Sequence, residues 1–117
     1  VRSFFQEKWF ANEEKYFRNC IYIVYSSAIK RHKHNISVDY LVSIFPPDNR
    51  CPIFGTKMKF GGNIFESPSL DRVRPNKGYV KNNVVWMSYI ANKMKSNLEI
   101  EELIKIKKWA KKSEKKN

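Results

Sequence analysis

Two short apolar runs, Ser69 to Val73 and Val84 to Met87, flank a ten-residue polar loop, Arg74-Pro-Asn-Lys-Gly-Tyr-Val-Lys-Asn-Asn83. Two such segments joined through a polar loop with Pro and Gly read as an antiparallel hairpin, and a loop longer than a tight turn has room for side chains that bind or react. A helix over Tyr89 to Lys95 follows at once. Hairpin and helix must then pack together as a ββα unit, which makes the chain α+β and fixes where its chemistry can sit.

The remaining segments read as helices around that unit. Phe10, Phe17, Ile21, Val24 and Ala28 recur at helical spacing and predict one long amphipathic helix from about Phe4 to Lys30, although the run Ile21 to Val24 is rich in β-branched residues. Ser37 is placed to cap a short second helix, with Asp39 in its first turn and Val38, Leu41, Ile44 and Phe45 on its apolar face; Pro46-Pro47 ends it. Cys51-Pro-Ile-Phe-Gly55, and then Met58 to Phe65 interrupted by Gly61-Gly62, predict a tight turn and a small ribbon. The final helix has Glu99, Glu101 and Glu102 at its start and lysines from Lys105 to Lys116 at its end, in line with the helix dipole. Its expected buried stripe is Ile100, Leu103, Ile104 and Trp109. At 117 residues the chain fits one domain. Its parts are an N-terminal helical part (1–47), a ββα core (48–97) and a C-terminal basic helix (98–117).

Charge narrows the partner. With 23 Lys and Arg against 11 Asp and Glu, the net charge of +12 repels itself unless a polyanion neutralises it. Nucleic acid is the leading candidate. An anionic membrane is the alternative, but no apolar stretch approaches the roughly 20 residues of a spanning helix and no signal-peptide pattern opens the sequence, so no membrane partner and an intracellular, cytoplasmic setting are expected. The 42% apolar and 15% aromatic content is too rich for disorder. The two cysteines, Cys20 and Cys51, lie far apart without C-x-x-C spacing, which supports neither a disulfide framework nor a four-ligand zinc site. Both are expected to be core residues. No Gly-rich phosphate loop or nucleophilic Ser or Cys triad is present.

The chemistry-bearing stretch runs Ser69-Leu-Asp-Arg-Val-Arg-Pro-Asn-Lys-Gly78, through Asn83-Val84, to Ala91-Asn92-Lys-Met-Lys95. A carboxylate at a strand end, an Asn closing the loop and a second Asn on the next helix can meet in a ββα unit. One carboxylate and one amide oxygen, completed by waters and a substrate phosphate, suit a hard cation such as Mg²⁺. In this ordered set the chain resembles the HNH endonucleases, the His-Me finger or ββα-metal superfamily, and among them the small phage-type and homing-like members that read Ser-Leu-Asp-Arg, Lys-Gly-Tyr-Val, Asn-Val and Ala-Asn-x-x-Lys. The resemblance is carried by Ser69 to Lys95, with weaker similarity from about Ile36 to the C-terminal helix. It implies a metal-dependent DNA endonuclease that hydrolyses phosphodiester bonds, nicking one strand per active site, in the host cytoplasm if phage-encoded. Asp71 and Asn92 take the metal positions, for Mg²⁺ or Mn²⁺. Asn83 takes the loop position that holds the hairpin shape, and Asp71, Arg72, Asn83 and Asn92 together form the implied catalytic set.

Two departures from the family pattern matter. The general-base His that follows the Asp is Arg72 here, and a guanidinium stays protonated at any usable pH. Arg72 instead suits the scissile phosphate, held by parallel hydrogen bonds. His32 or His34 could fold over the site as base, or coordination to the ion could acidify the attacking water enough to need none. The second departure concerns zinc: where relatives carry two C-x-x-C knuckles, this chain has Cys51 with Phe54 and Ser88 with Ala91. No zinc is expected, and apolar contacts from residues such as Phe54, Phe60, Phe65 and Trp86 must close the fold.

The resemblance also implies that the ββα unit presents its helix to a phosphate in the DNA minor groove, with Arg74, Lys77, Lys81, Lys93 and Lys95 around it as phosphate contacts. Double-stranded DNA is the expected substrate and RNA stays open. The competing expectation is a catalytically inactive HNH-derived module, bound to nucleic acid within a larger DNA or ribonucleoprotein complex, with Arg72 as the mark of lost catalysis. No separate sequence-reading motif is evident.

Overall fold

A computed structural model describes the backbone from Phe4 to Lys115 and side chains from Asn12 onward, Arg31 excepted. Phe10 of the predicted helical stripe therefore lies outside the described side chains. The chain is a small α+β domain in which a two-stranded antiparallel sheet is surrounded by helices.

Helix α1 (Phe4–Ala28) gives way to a 3-10 turn over Ile29–Arg31. Ile21 and Tyr25 are buried, and Phe17, Val24 and Ala28 pack half-buried beside them, so the stripe falls on the predicted face. Ser37 caps α2 (Val38–Ser43), its Oγ accepting from the Tyr40 amide at 3.1 Å. Leu41 at its centre is fully buried, and an ion pair between Arg18 and Asp39 ties α1 to α2.

Strands β1 (Pro68–Arg72) and β2 (Val84–Ser88) pair antiparallel in a register that sets Leu70 opposite Trp86 and Asp71 opposite Val85. Period-two alternation sends Leu70, Val84 and Trp86 to one face, where they join Ile21, Tyr25, Leu41 and Tyr79 in the main core. Trp86 is its largest member, and its indole N–H donates to the Leu41 carbonyl at 2.9 Å, pinning β2 to α2. Helix α3 (Tyr89–Lys95), capped by Ser88, covers the other face, where Met87 and Ala91 meet Cys51 and Met58 in a second apolar cluster.

Four local expectations are corrected. The segment Met58 to Phe65 makes no ribbon: a single bridge joins Arg50 and Lys57 just before it, one backbone bond runs from the Lys59 amide to the Glu66 carbonyl at 3.1 Å, and a 3-10 turn covers Ile64–Glu66, because Gly61-Gly62 and Asn63 interrupt any extended run. Phe54 and Phe65 are each about half exposed, so Met58 and Met87, with Phe45 and Val85 beside them, close the fold around Cys51 instead. Cys20 is only half-buried. In α4 (Ile100–Lys115) no residue is buried, and Trp109 is 69% exposed. Of its expected packing stripe only Ile100 and Leu103, at the start, are half-buried, while Ile104 and Trp109 are exposed, because the short sheet is already covered on both faces. No helix is long and apolar enough to cross a membrane among the described residues.

Candidate functional site

The open end of the hairpin, where β1 runs into the loop and α3 ends, gathers the polar groups. Asn83 shapes it. Its Oδ1 accepts from the Arg74 amide at 2.9 Å, and its Nδ2 donates to the carbonyls of Arg74 at 3.0 Å and Gly78 at 2.7 Å. The side chain is buried, and its amide bonds span both arms of the loop.

That loop is clasped from outside by the segment after α1. The amide of Tyr79 donates to the Lys33 carbonyl at 2.7 Å, that of Asn35 donates to the Tyr79 carbonyl at 3.2 Å, and His34 bridges Tyr79 as a short parallel pair. Gly78 permits the approach: its φ is +78°, and a Cβ there would stand 2.5 Å from the Lys33 carbonyl oxygen.

Asp71 points towards α3 and is 5% exposed. Lys95 Nζ stands 3.1 Å from its Oδ2 and 3.4 Å from Oδ1, and it also donates to the Arg72 carbonyl at 3.1 Å. The ammonium's hydrogen bond is directed at Oδ1. Oδ2 is buried and accepts no hydrogen bond. Burial pushes the Asp71 carboxyl above its ordinary range, against the opposing pull of Lys95 and Arg72.

Asn92, one helical turn before Lys95, donates through Nδ2 to Ser69 Oγ at 2.7 Å and to the Leu70 carbonyl at 3.3 Å. A carbonyl can only accept, so the amide orientation is fixed and Oδ1 is left without a donor among the described residues. Asp71 and Asn92 thus lie along the same α3–β1 seam without touching each other. No cluster of three or more His, Cys, Asp or Glu is present among the described residues. The donor set still fits a hard cation, since a buried carboxylate held only by an exchangeable ammonium and an amide oxygen without a donor among the described residues are the ligands such an ion takes from protein when waters and phosphate supply the rest.

Arg72 turns the other way. Its Nη1 donates to the Pro75 carbonyl at 2.7 Å and meets His32 Nδ1 at 3.1 Å; its guanidinium carbon lies 5.4 Å from the centre of the Tyr79 ring. A weak bond joins Nη2 to Asn97 Oδ1 at 3.4 Å, and the guanidinium also acts on the Tyr79 hydroxyl. Nη1 is saturated, so the Nη2–Nε edge is the one available to a ligand. Because a guanidinium has no acceptor, His32 Nδ1 must accept, which in the neutral ring places the proton on Nε2. His34 points elsewhere, its Nδ1 3.3 Å from the Tyr25 hydroxyl; that hydroxyl donates to the Ile36 carbonyl at 2.7 Å.

The basic residues named from sequence divide into two groups. Lys77, Lys81 and Lys93 are exposed, with Lys81 over the Tyr40 ring at 5.7 Å. Arg74 pairs with Glu99 at 3.5 Å and Glu101 at 3.3 Å, and Lys95 is spent on Asp71. Three members of the site had no role assigned from the sequence: Tyr79, Ser69 and Asn97. Tyr79 was the findable one, as the lone aromatic in an otherwise polar loop. Where the resemblance placed a thiol pair, Cys51 Sγ accepts from Ser88 N and Oγ, each at 3.4 Å. Burial pushes that thiol up, but these bonds and the backbone amides of Phe54 and Ile53 outweigh it and leave it below its ordinary value. Compared with known proteins, the chain matches no family model, no curated relative and no solved structure.

Proposed function

We propose that this chain is a metal-dependent DNA endonuclease of the HNH type, built on a ββα-metal finger without zinc. The observation that carries the reading is the buried carboxylate of Asp71, held by Lys95 alone among side chains, beside an Asn92 amide oxygen without a donor among the described residues and a guanidinium whose Nη2–Nε edge carries the weak Asn97 bond.

Asp71 and Asn92 would hold the ion, and Mg²⁺ or Mn²⁺ bound there would acidify the attacking water and neutralise charge on the phosphate. The free edge of Arg72 is oriented by Pro75, Tyr79 and His32 to take two phosphate oxygens and to stabilise the charge that builds up as water attacks. His32 acts as a donor through Nε2 rather than as a base, since Arg72 occupies the nitrogen that would accept a proton. Asn83 holds the loop so that the phosphate meets Arg72 in one geometry. The P–O bond to water forms, the P–O bond to the sugar breaks, and solvent takes up and returns the two protons. A single site nicks a single strand.

One observation favours the alternative, a nucleic-acid-binding module without catalysis: Lys95 already serves Asp71 as counter-ion. The deciding experiment is conversion of supercoiled plasmid by the purified protein with Mg²⁺, Mn²⁺ or EDTA, beside Asp71→Asn. Metal-dependent nicking that disappears in the variant is the expected result. Salt-sensitive DNA binding without nicking under any metal would replace the nuclease with the binding module.

A further inference from the structure

Helix α4 carries six lysines, Lys105, Lys107, Lys108, Lys111, Lys112 and Lys115, none of them in an ion pair among the described residues. At 100° per residue they occupy one side of the helix, and five of them line a groove on its surface with Ile104. Lys107, Lys111 and Lys115 succeed one another at four-residue steps, as do Lys108 and Lys112. Like charges at that spacing repel by a few tenths of a kcal/mol per pair, so this face works against its own helix unless an anion neutralises it.

The helix is anchored beside the site. Glu99 and Glu101 at its start pair with Arg74, and Asn97 just before it meets Arg72. From there sixteen residues extend about 24 Å at 1.5 Å each, which is roughly seven base pairs of B-form rise. The molecule is elongated, 63 Å along its longest axis against 23 Å along its shortest.

We infer that the lysine face of α4 is a second nucleic-acid contact, an arm that grips the phosphate backbone of duplex DNA flanking the scissile bond. The inference takes the class of polyanion from the nuclease reading but does not need catalysis. Continuity with Arg72 and Arg74 selects DNA over an anionic membrane, because a helix laid on a bilayer would carry the hairpin's open end with it.

The test is binding of a labelled 30-base-pair duplex in EDTA over a salt series, comparing the full chain with Lys107→Gln/Lys108→Gln/Lys111→Gln/Lys112→Gln. Gln has nearly the helix propensity of Lys, so the far-UV circular dichroism should be unchanged. Each lost phosphate contact removes about 0.9 from the slope of log K against log salt; three lost contacts lower the slope by about 3 and affinity near 0.1 M salt by about 100-fold. The matching Lys→Arg quadruple should keep the slope. Three results overturn the proposal: a slope and affinity within about twofold of the parent, loss of binding to phosphatidylserine vesicles with duplex binding intact, or a change in oligomeric state as the main effect. Plasmid nicking with an unaltered slope would remove the arm and leave the nuclease; an altered slope without nicking would do the reverse.

Discussion

Asn83→Ala should cost the fold more than any other single polar substitution at the site. The side chain makes three hydrogen bonds, to Arg74 N, Arg74 O and Gly78 O, and is 6% exposed. At about 1 kcal/mol net for each bond the loss is about 3 kcal/mol, with water entering the vacated space recovering part of it. With a urea dependence of about 1.5 kcal/mol per molar, the unfolding midpoint moves down by about 2 M. Asn83→Asp separates hydrogen-bond chemistry from shape. The carboxylate keeps the acceptor for Arg74 N, but at neutral pH it sets a bare oxygen against two carbonyls, so the loss should equal or exceed that of the alanine variant. Acid should return part of it, because a protonated carboxyl regains one donor. Urea titrations at pH 5 and pH 7 read both effects. An Asn83→Asp protein within about 0.5 kcal/mol of the parent at pH 7 would refute the claim that these bonds, rather than mere space-filling, hold the loop.

Other expectations follow from the same contacts. Because burial raises the Asp71 carboxyl, the folded chain holds that proton more tightly than the unfolded chain; the stability it contributes is present at low pH and is lost as pH rises through the raised value. Asp71→Asn should therefore gain on the parent in urea midpoint between about pH 3 and about pH 7, and a gap that narrows would contradict this sign. Gly78→Ala, whose Cβ would collide with the Lys33 carbonyl at a φ of +78°, should destabilise by about 2 kcal/mol or more and raise hydrogen exchange at Asn35 and Tyr79. Dialysis against EDTA should leave the melting temperature within about 1 °C, since Cys51, Met58, Met87 and Ala91 close their cluster by packing; a large drop would reveal a structural ion.

Period and punctuation made the helices and strands legible. The hairpin, the Ser37 cap and the span Tyr89–Lys95 fall where alternation and capping residues put them. Failures came where a pattern needs a partner to have meaning. The apolar positions of α4 look like a packing stripe, but only the finished fold reveals that both sheet faces are already taken by α1 and α3. The same limit hid the pairings of charged groups. Lys95 lies one turn from Asn92 and so shares its face, which made a contact with the Asp71 strand derivable; that the contact would be with Asp71 itself depended on register. His32 lies forty positions from Arg72, and no local signal joins them.

If the proposed ion binds at Asp71, the Lys95–Asp71 pair governs how it does so. An ammonium 3.1 Å from the carboxylate means the apo protein is already electrically settled there, with no large repulsion pressing it to capture a cation. Divalent binding is then an exchange of counter-ions, and its net affinity is the difference between two attractions. Lys95, once displaced, is left beside whatever anion shares the site, where a DNA phosphate would welcome it. Metal and DNA are in that case linked ligands: each should bind more tightly in the presence of the other, and a chain free of DNA would leave cellular Mg²⁺ largely unbound.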